Sequence, residues 1–404
     1  MPNLPMRILL LEGIHPSAKV HLERDGFKVR MENHSPNEQE LKLWLKDTDA
    51  VGIRSKTQLP ETILKDNKHL LVVGCFCIGT DQVDLRAANK IGLPVFNAPY
   101  SNTRSVAELV LAEIIALARQ LGDRSMKAHQ GIWQKSADSS YEVRGKTLGL
   151  VGYGHIGSQV SILAEAFGMR VVHFDIVKKL PLGNSQPCEK LVDLLRQSDF
   201  VSLHVPDTAQ TRNMISTEQL REMKKGAYLI NASRGLVVNI SDLSKALREG
   251  HLAGAAVDVF PSEPASNKDP FESELRGIPN VILTPHIGGS TLEAQEAIGA
   301  EVAQSFSAFL KGGSTRGAVN FPNVDLPVLD NSCHRIVNMH RNVPGVLSEI
   351  NGIVSAVGAN IQAQSLATDA NIGYLVMDIE KGEASEVAKR VAKLETSIKT
   401  RVLF

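Results

Sequence analysis

The chain has 404 residues, 43% of them hydrophobic and 22% charged, which is enough apolar material for two or three packed domains and excludes a disordered chain. Its 44 Lys and Arg balance 44 Asp and Glu with no dense basic cluster, which argues against nucleic acid as a partner. Cys75, Cys77, Cys188 and Cys333 form neither a zinc knuckle nor a C-x-x-C pair; they read as reduced thiols of a cytoplasmic protein, and no metal is expected.

The opening MPNLPMRILLLEGI has too short an apolar run for a signal peptide and reads as a first strand. No later stretch approaches the roughly 18 uninterrupted apolar residues of a membrane span, so no membrane association is expected. Residues 1–100 alternate short β-rich runs (RILLL, AVGIRS, LLVVGCF, LPVFNAP) with helical segments, the rhythm of a parallel sheet. SNTRSVAELVLAEIIALARQLG then spaces Val106, Leu109, Val110, Ile114, Leu117 and Leu121 as one long helix would.

A second βαβ series starts near Lys146 with TLGLVGYG and runs through RVVHFDI, DFVSLHVP, AYLINAS and AGAAVDVF to NVILTPH. Each strand ends in Gly, Ser, His, Asp or Pro, and in open α/β sheets ligands sit beyond those carboxyl ends. The helix TLEAQEAIGAEVAQSFSAFLKGG follows, and the Gly/Pro-punctuated stretch from Lys311 to Cys333 reads as a linker. Beyond it HRIVNMH, VPGVLSEINGIVSAVG, NIQAQSL, IGYLVMDIE, EVAKRVAKLE and IKTRVLF give the order βαββαβ, a ferredoxin-like unit.

Chemistry concentrates in four motifs. Gly152, Gly154 and Gly157 form G-x-G-x-x-G between a strand and a helix, and Asp175 ends the next strand, where a carboxylate accepts from ribose hydroxyls and repels a 2′-phosphate. NAD is therefore the expected cofactor, its pyrophosphate on the helix N-terminus. Arg234 in NASRGLVV, Glu263 in DVFPSEP and His286 in LTPHIGGS lie in loops after three successive strands. Hydride chemistry on an alcohol needs a base, which an imidazole oriented by a carboxylate supplies, and a cation to hold the oxygenated substrate. In the first domain Arg54, Ser55 and Lys56 stand at a strand end, where a phosphate would find donors.

GYGHIG, NASRG, DVFPSEP and LTPHIGGS, in this order and at these separations, resemble the D-isomer-specific 2-hydroxyacid dehydrogenases over residues 1–320. IRSKT, CFCIGTDQVDL, NAPYSNTRSVAELV and GIWQKS resemble the branch that oxidises 3-phospho-D-glycerate, and the last module resembles an ACT regulatory domain. The resemblance implies an α/β fold: two Rossmann-like doubly wound parallel-sheet domains plus a C-terminal ferredoxin-like ACT domain. A substrate-binding domain would span 1–104, completed by 292–325; the NAD-binding domain would span 105–291 and the ACT domain 333–404.

It makes Arg234, Glu263 and His286 the catalytic set. His155, Ile156, Ala232, Ser233, Asp258, Gly288 and Gly289 join the three glycines and Asp175 around the cofactor. By the same resemblance Asn102, Gln295 and, from a neighbouring subunit, Lys135 would join the substrate contacts, and His340, Asn342 and Asn360 would bind L-serine where two ACT sheets meet. A homotetramer inhibited by L-serine is implied, with 2-oxoglutarate reduction as a further activity. Lys56 stands where relatives often carry Arg, and Asn239 where they often carry Asp. Two alternatives stay open: a dehydrogenase of an unphosphorylated 2-hydroxy acid, and an NAD(H)-sensing corepressor, for which an effector module gives no reason.

Overall fold

The computed structural model describes residues 5–264, 268–327 and 333–403, which form two compact units, residues 1–101 with 295–404 and residues 102–294. Residues 328–332 of the expected linker and Phe404 of the expected last strand lie outside the described residues.

The first unit begins with a parallel sheet of β1 (Arg7–Leu10), β2 (Lys28–Met31), β3 (Ala50–Ile53), β4 (Val72–Cys75) and β5 (Val95–Asn97), in the order β2-β1-β3-β4-β5. Side chains alternate between its faces. Ile8 and Leu10 pack with Phe76, Phe306 and Phe309, while Leu9 and Leu11 pack with Leu41, Val51 and Ile63. The helix Leu292–Gly312 brings Phe306 close because Gly74 has no Cβ, which would stand 2.7 Å from the ring. β2 is not apparent in the sequence, because only Val29 of its four residues is buried and an edge strand of this kind carries little hydrophobic signal.

The second unit holds β6 (Thr147–Val151), β7 (Arg170–Phe174), β8 (Gln186–Pro187), β9 (Phe200–Leu203), β10 (Ala227–Asn231), β11 (Leu252–Val257) and β12 (Val281–Leu283). All pair in parallel in the order β12-β11-β10-β9-β6-β7-β8. The chain enters at β6, builds outward to β8, then returns to β9 and builds the other way. The switch point thus falls between β6 and β9, and the crevice beyond their carboxyl ends is where such sheets bind ligands. The preceding helix is shorter than its periodicity suggests. It spans Thr103–Arg119; Gln120 turns left-handed at φ 52°, and Leu121, 58% exposed, opens a second helix instead of extending the buried stripe.

Returning to the first unit, β13 (Cys333–Arg341), β14 (Ile361–Thr368), β15 (Ile372–Glu380) and β16 (Ser397–Leu403) form an antiparallel sheet in the order β14-β15-β13-β16. Ile336, Leu375 and Met377 face the helices Val346–Val357 and Lys381–Val391. Val337, Met339, Tyr374 and Val376 of the opposite face join the cluster around Phe306 and Phe309. Arg335, 1% exposed, pairs with Asp378 through both Nε and Nη2 at 2.7 Å and donates to the carbonyls of Gly312 and Pro327. The described part of the expected linker is likewise bound in. Ala318 bridges to Phe96, and Asn320 accepts from the Val95 N–H and donates to Leu93 O. Polar side chains hold it in place of a periodic apolar stripe, so its sequence reads as loop.

Candidate active site

The turn after β6 needs glycine for steric reasons. Gly152 has φ 92°, and a Cβ there would stand 2.3 Å from the His204 carbonyl oxygen; at Gly157 it would stand 2.2 Å from the Gly152 oxygen. Gly154, the N-cap of the helix His155–Ala166, faces open space. These residues fit a dinucleotide: among the described residues nothing lies within 4 Å of where a Gly154 Cβ would stand, which leaves the helix N-terminus open to a pyrophosphate. Asp175, just past β7, accepts from the Tyr153 N–H through Oδ2 at 2.8 Å and from the Val177 N–H through Oδ1 at 2.9 Å, which fixes the carboxylate beside the glycine turn. His204, after β9, is a residue the sequence reading missed. Burial pushes its pKa down to about 4, its ring accepts or donates to Ser202 Oγ at 3.0 Å, and its carbonyl backs Gly152. The signal was its place beyond a strand at the switch point.

Three strand-end loops converge at the other side of the sheet's carboxyl edge. Asn231 ends β10; its side chain accepts from the N–H and hydroxyl of Ser233 and donates to the Arg234 carbonyl, so NASR folds into an Asx turn. Ala232 is carried in that turn. Gly235 lets this loop pass under the next, because a Cβ there would meet the Phe260 carbonyl carbon at 2.1 Å. Glu263, after β11, accepts from the Phe260 N–H at 3.1 Å and meets His286 Nδ1 at 2.9 Å.

His286 adopts φ 55°, in the left-handed region that a non-glycine residue enters at a cost of roughly 1–2 kcal/mol. Its N–H donates to the carbonyls of Asp258, at 2.8 Å, and Thr284. Asp258, 1% exposed, accepts from Thr284 Oγ1 at 2.6 Å and from the N–H groups of Ile287 and Gly288 at 2.8 and 2.9 Å. One carboxylate therefore clamps the whole histidine loop, a role that no spacing along the chain displays. A Cβ on Gly288 would stand 3.1 Å from Asp258 Oδ2, and one on Gly289 2.6 Å from Asn102 Nδ2.

The electrostatics follow from these contacts. The hydrogen bond that His286 donates to Glu263 raises the histidine's pKa above its ordinary value, assisted by the charges of Glu263 and Asp258 and opposed by burial and by Arg234. Burial pushes Glu263 up, yet His286, the Phe260 N–H and Arg234 together hold it below the ordinary carboxylate range. With Nδ1 engaged by Glu263, the imidazole presents Nε2 for proton exchange. The arrangement can take a proton from a hydroxyl next to a held anion. His155 is exposed, Ile156 half-buried.

In the first unit Arg54, Ser55 and Lys56 form an exposed loop after β3, with Arg54 the most covered. Asn102 is buried, its Oδ1 without a partner among the described residues, Lys135 is exposed, and Gln295 is half-buried. In the antiparallel sheet Asn342 and Asn360 are exposed, and Asn342 Nδ2 donates to the Asp369 carbonyl at 2.7 Å. His340 differs from the sequence placement after the strand. It lies within β13, 3% exposed, Nδ1 2.9 Å from Asn338 Oδ1, because Gly373 opposite leaves room for its ring. Among the described residues no group of His, Cys, Asp and Glu could hold a metal, and no helix is long and apolar enough to cross a membrane.

Residues 111–288 match the NAD-binding domain of the D-isomer specific 2-hydroxyacid dehydrogenases, and residues 336–399 match an AHAS small subunit-like ACT domain. A D-lactate dehydrogenase from Aquifex aeolicus, solved with NAD and lactic acid, superposes with a TM-score of 0.68 at 29% identity, over 78% of this chain and 100% of that one. The chain belongs to the D-isomer-specific 2-hydroxyacid dehydrogenase family and is an NAD-dependent enzyme. Within that family it is similar to the D-3-phosphoglycerate dehydrogenase of Dictyostelium discoideum, 53% identical over 100% of this chain and 98% of the relative. It is 49% identical to that of Escherichia coli K12, over 99% of this chain and 98% of the relative.

Proposed function

We propose that this enzyme oxidises 3-phospho-D-glycerate at C2 to 3-phosphohydroxypyruvate, the entry to serine synthesis, and that L-serine lowers its turnover through the C-terminal domain. The observation that carries the reading is the Glu263–His286 pair at 2.9 Å, which joins the His286 loop clamped by Asp258 to the Glu263 loop packed closely on the Arg234 loop. Full-length similarity to proteins named for that reaction supports the substrate.

Gly152, Gly154, His155, Ile156, Gly157 and Asp175 would hold NAD, which when bound would supply the acceptor for the C2 hydride. His286 Nε2 takes the C2 hydroxyl proton, so the C–O bond becomes a carbonyl as the hydride leaves. Glu263 keeps the proton of Nδ1 facing itself and stabilises the imidazolium that forms. Arg234 holds the substrate carboxylate and polarises the neighbouring oxygen. Ala232, Ser233, Asp258, Gly288 and Gly289 shape the nicotinamide end. Arg54, Ser55 and Lys56 supply the phosphate donors; Asn102, Gln295 and a partner subunit's Lys135 complete the substrate contacts.

The ACT-like sheet leaves β14 as a half-covered edge. Pairing of two such edges, with L-serine between His340, Asn342 and Asn360, would build a homotetramer together with a second interface. We place the enzyme in the cytoplasm. NADH oxidation with phosphohydroxypyruvate, hydroxypyruvate and 2-oxoglutarate, each with and without L-serine, tests the reading. Highest kcat/KM with phosphohydroxypyruvate and inhibition by serine are expected; preference for an unphosphorylated acid would overturn the substrate, and indifference to serine the regulation.

A further inference from the structure

An acidic residue sits under the loop that is to bind an anion. Glu12, just after β1, accepts three backbone N–H groups from the loop after β3: Arg54 at 3.1 Å and Thr57 at 2.8 Å through Oε1, and Lys56 at 3.0 Å through Oε2. Glu12 itself has φ 61°, a left-handed conformation that few non-glycine residues adopt. That bend is held by its own N–H on the His34 carbonyl and by the Gly13 N–H on the Glu32 carbonyl. From the other side Gln82, 7% exposed, donates to the Arg54 carbonyl at 2.6 Å, and Thr57 Oγ1 lies 3.0 Å from Ser35 Oγ. Of the four N–H groups in Arg54–Thr57, only that of Ser55 keeps no partner among the described residues.

A carboxylate near a bound phosphate is repulsive unless its charge is spent locally, and three N–H donors spend it. The same three bonds fix the peptide planes on both sides of Ser55. We propose that Glu12 is the positioning residue of this anion-binding loop: it commits three N–H groups inward, leaving the Ser55 N–H with the Arg54, Ser55 and Lys56 side chains for the distal anionic group of the substrate. A neutral amide could not replace it, since an amide nitrogen would face N–H donors and the loop would have to turn a peptide plane outward. This inference rests on the reading that the loop binds the substrate phosphate.

The full-length enzyme with Glu12→Gln tests it. KM for phosphohydroxypyruvate should rise roughly tenfold, while kcat and the NADH dissociation constant stay within about twofold and KM for hydroxypyruvate, which has no phosphate, does not move. Combined with Arg54→Ala, the two effects on KM should be less than multiplicative, because both act on one loop. An unchanged KM, an equal rise for both substrates, or independent effects in the double variant would overturn the proposal. If Glu12→Gln does not fold, Glu12→Asp, one methylene shorter, is judged by the same criteria. Arg54→Ala alone separates the two failures: if it leaves KM for phosphohydroxypyruvate unmoved, the loop is not the phosphate site; if it raises KM and Glu12→Gln does not, only the role of Glu12 is lost.

Discussion

Glu263 Oε2 stands 2.9 Å from His286 Nδ1, and each shifts the other: the imidazole titrates above its ordinary range and the carboxyl below its own. Oxidation needs His286 neutral, so activity in that direction should fall as pH drops through the raised histidine pKa. Glu263→Gln removes the charge partner and should move that acid limb of kcat/KM to lower pH. His286→Ala should lower kcat by roughly 10²–10⁴ with NADH affinity little changed. A pH profile that stays in place in Glu263→Gln would remove the carboxylate from this role.

Asp258 is placed to govern the same histidine through the backbone. Asp258→Asn keeps one acceptor oxygen but puts an amide nitrogen against either the Gly288 N–H or the Ile287 N–H and Thr284 hydroxyl. With charge-assisted bonds at about 1.5–3 kcal/mol each, stability should drop by about 2 kcal/mol or more. kcat should fall with it, since the left-handed turn at His286 loses its support. Denaturant unfolding and turnover on the same sample check both, and a variant of native stability would show the clamp to be dispensable.

Asp175 is expected to choose the cofactor, because its carboxylate would meet a 2′-phosphate with repulsion. Asp175→Ala should weaken NADH binding and raise the NADPH to NADH ratio of kcat/KM. Part of the weakening will come from the Tyr153 and Val177 N–H groups that lose their acceptor. An unaltered ratio would place the discrimination elsewhere.

Glu113, 3% exposed on the helix Thr103–Arg119, has both carboxyl oxygens without a partner among the described residues. Burial, and then the charge of Asp258, push its pKa up to about 8. The folded protein thus holds a proton that the unfolded chain releases near its ordinary pKa, so this group costs stability progressively from about pH 4.5 to its folded pKa, at ~1.4 kcal/mol per pH unit. Glu113→Gln should gain stability over the parent as pH rises through that window and gain no more above it. Unfolding free energies at pH 5, 6, 7 and 8 read this directly; a constant difference would mean that Glu113 is ionised in the fold.

Asn342, just after β13, and Asn360, just before β14, are exposed. Asn342→Ala or Asn360→Ala should relieve L-serine inhibition and leave uninhibited turnover nearly intact. Asn342→Ala also loses the bond to the Asp369 carbonyl, so thermal unfolding of that variant serves as its control. Retained serine sensitivity in both would move the effector site away from these residues.

Asn239, where the resemblance leads one to expect Asp, has a simple structural role. Asn239 Oδ1 accepts from the Asp242 N–H as N-cap of the helix Ile240–Arg248, a task that either side chain performs.

What the amino-acid order determined unaided was whatever depends on local periodicity or on steric demands of one turn. Strand runs such as TLGLV and AYLIN, the helical stripe from Val106 to Leu117, and the glycines at 152 and 157 are of this kind, because a buried strand must be apolar and a close backbone approach forbids a Cβ. Arg234, Glu263 and His286 were legible because each follows a strand of one sheet. Tertiary structure alone decided which of these loops touch and what holds them. The Glu263–His286 bond spans 23 residues, the Asp258–Gly288 bond 30, and the Glu12–Thr57 bond 45. Neither Asp258 nor Glu12 differs in sequence from a surface carboxylate; each gains its role from the N–H groups of a distant loop, and backbone N–H groups are the same whatever side chain they carry. For the same reason the bound stretch around Asn320 reads as free linker, and His340 as a loop residue: polar contacts across chain separations leave no period behind.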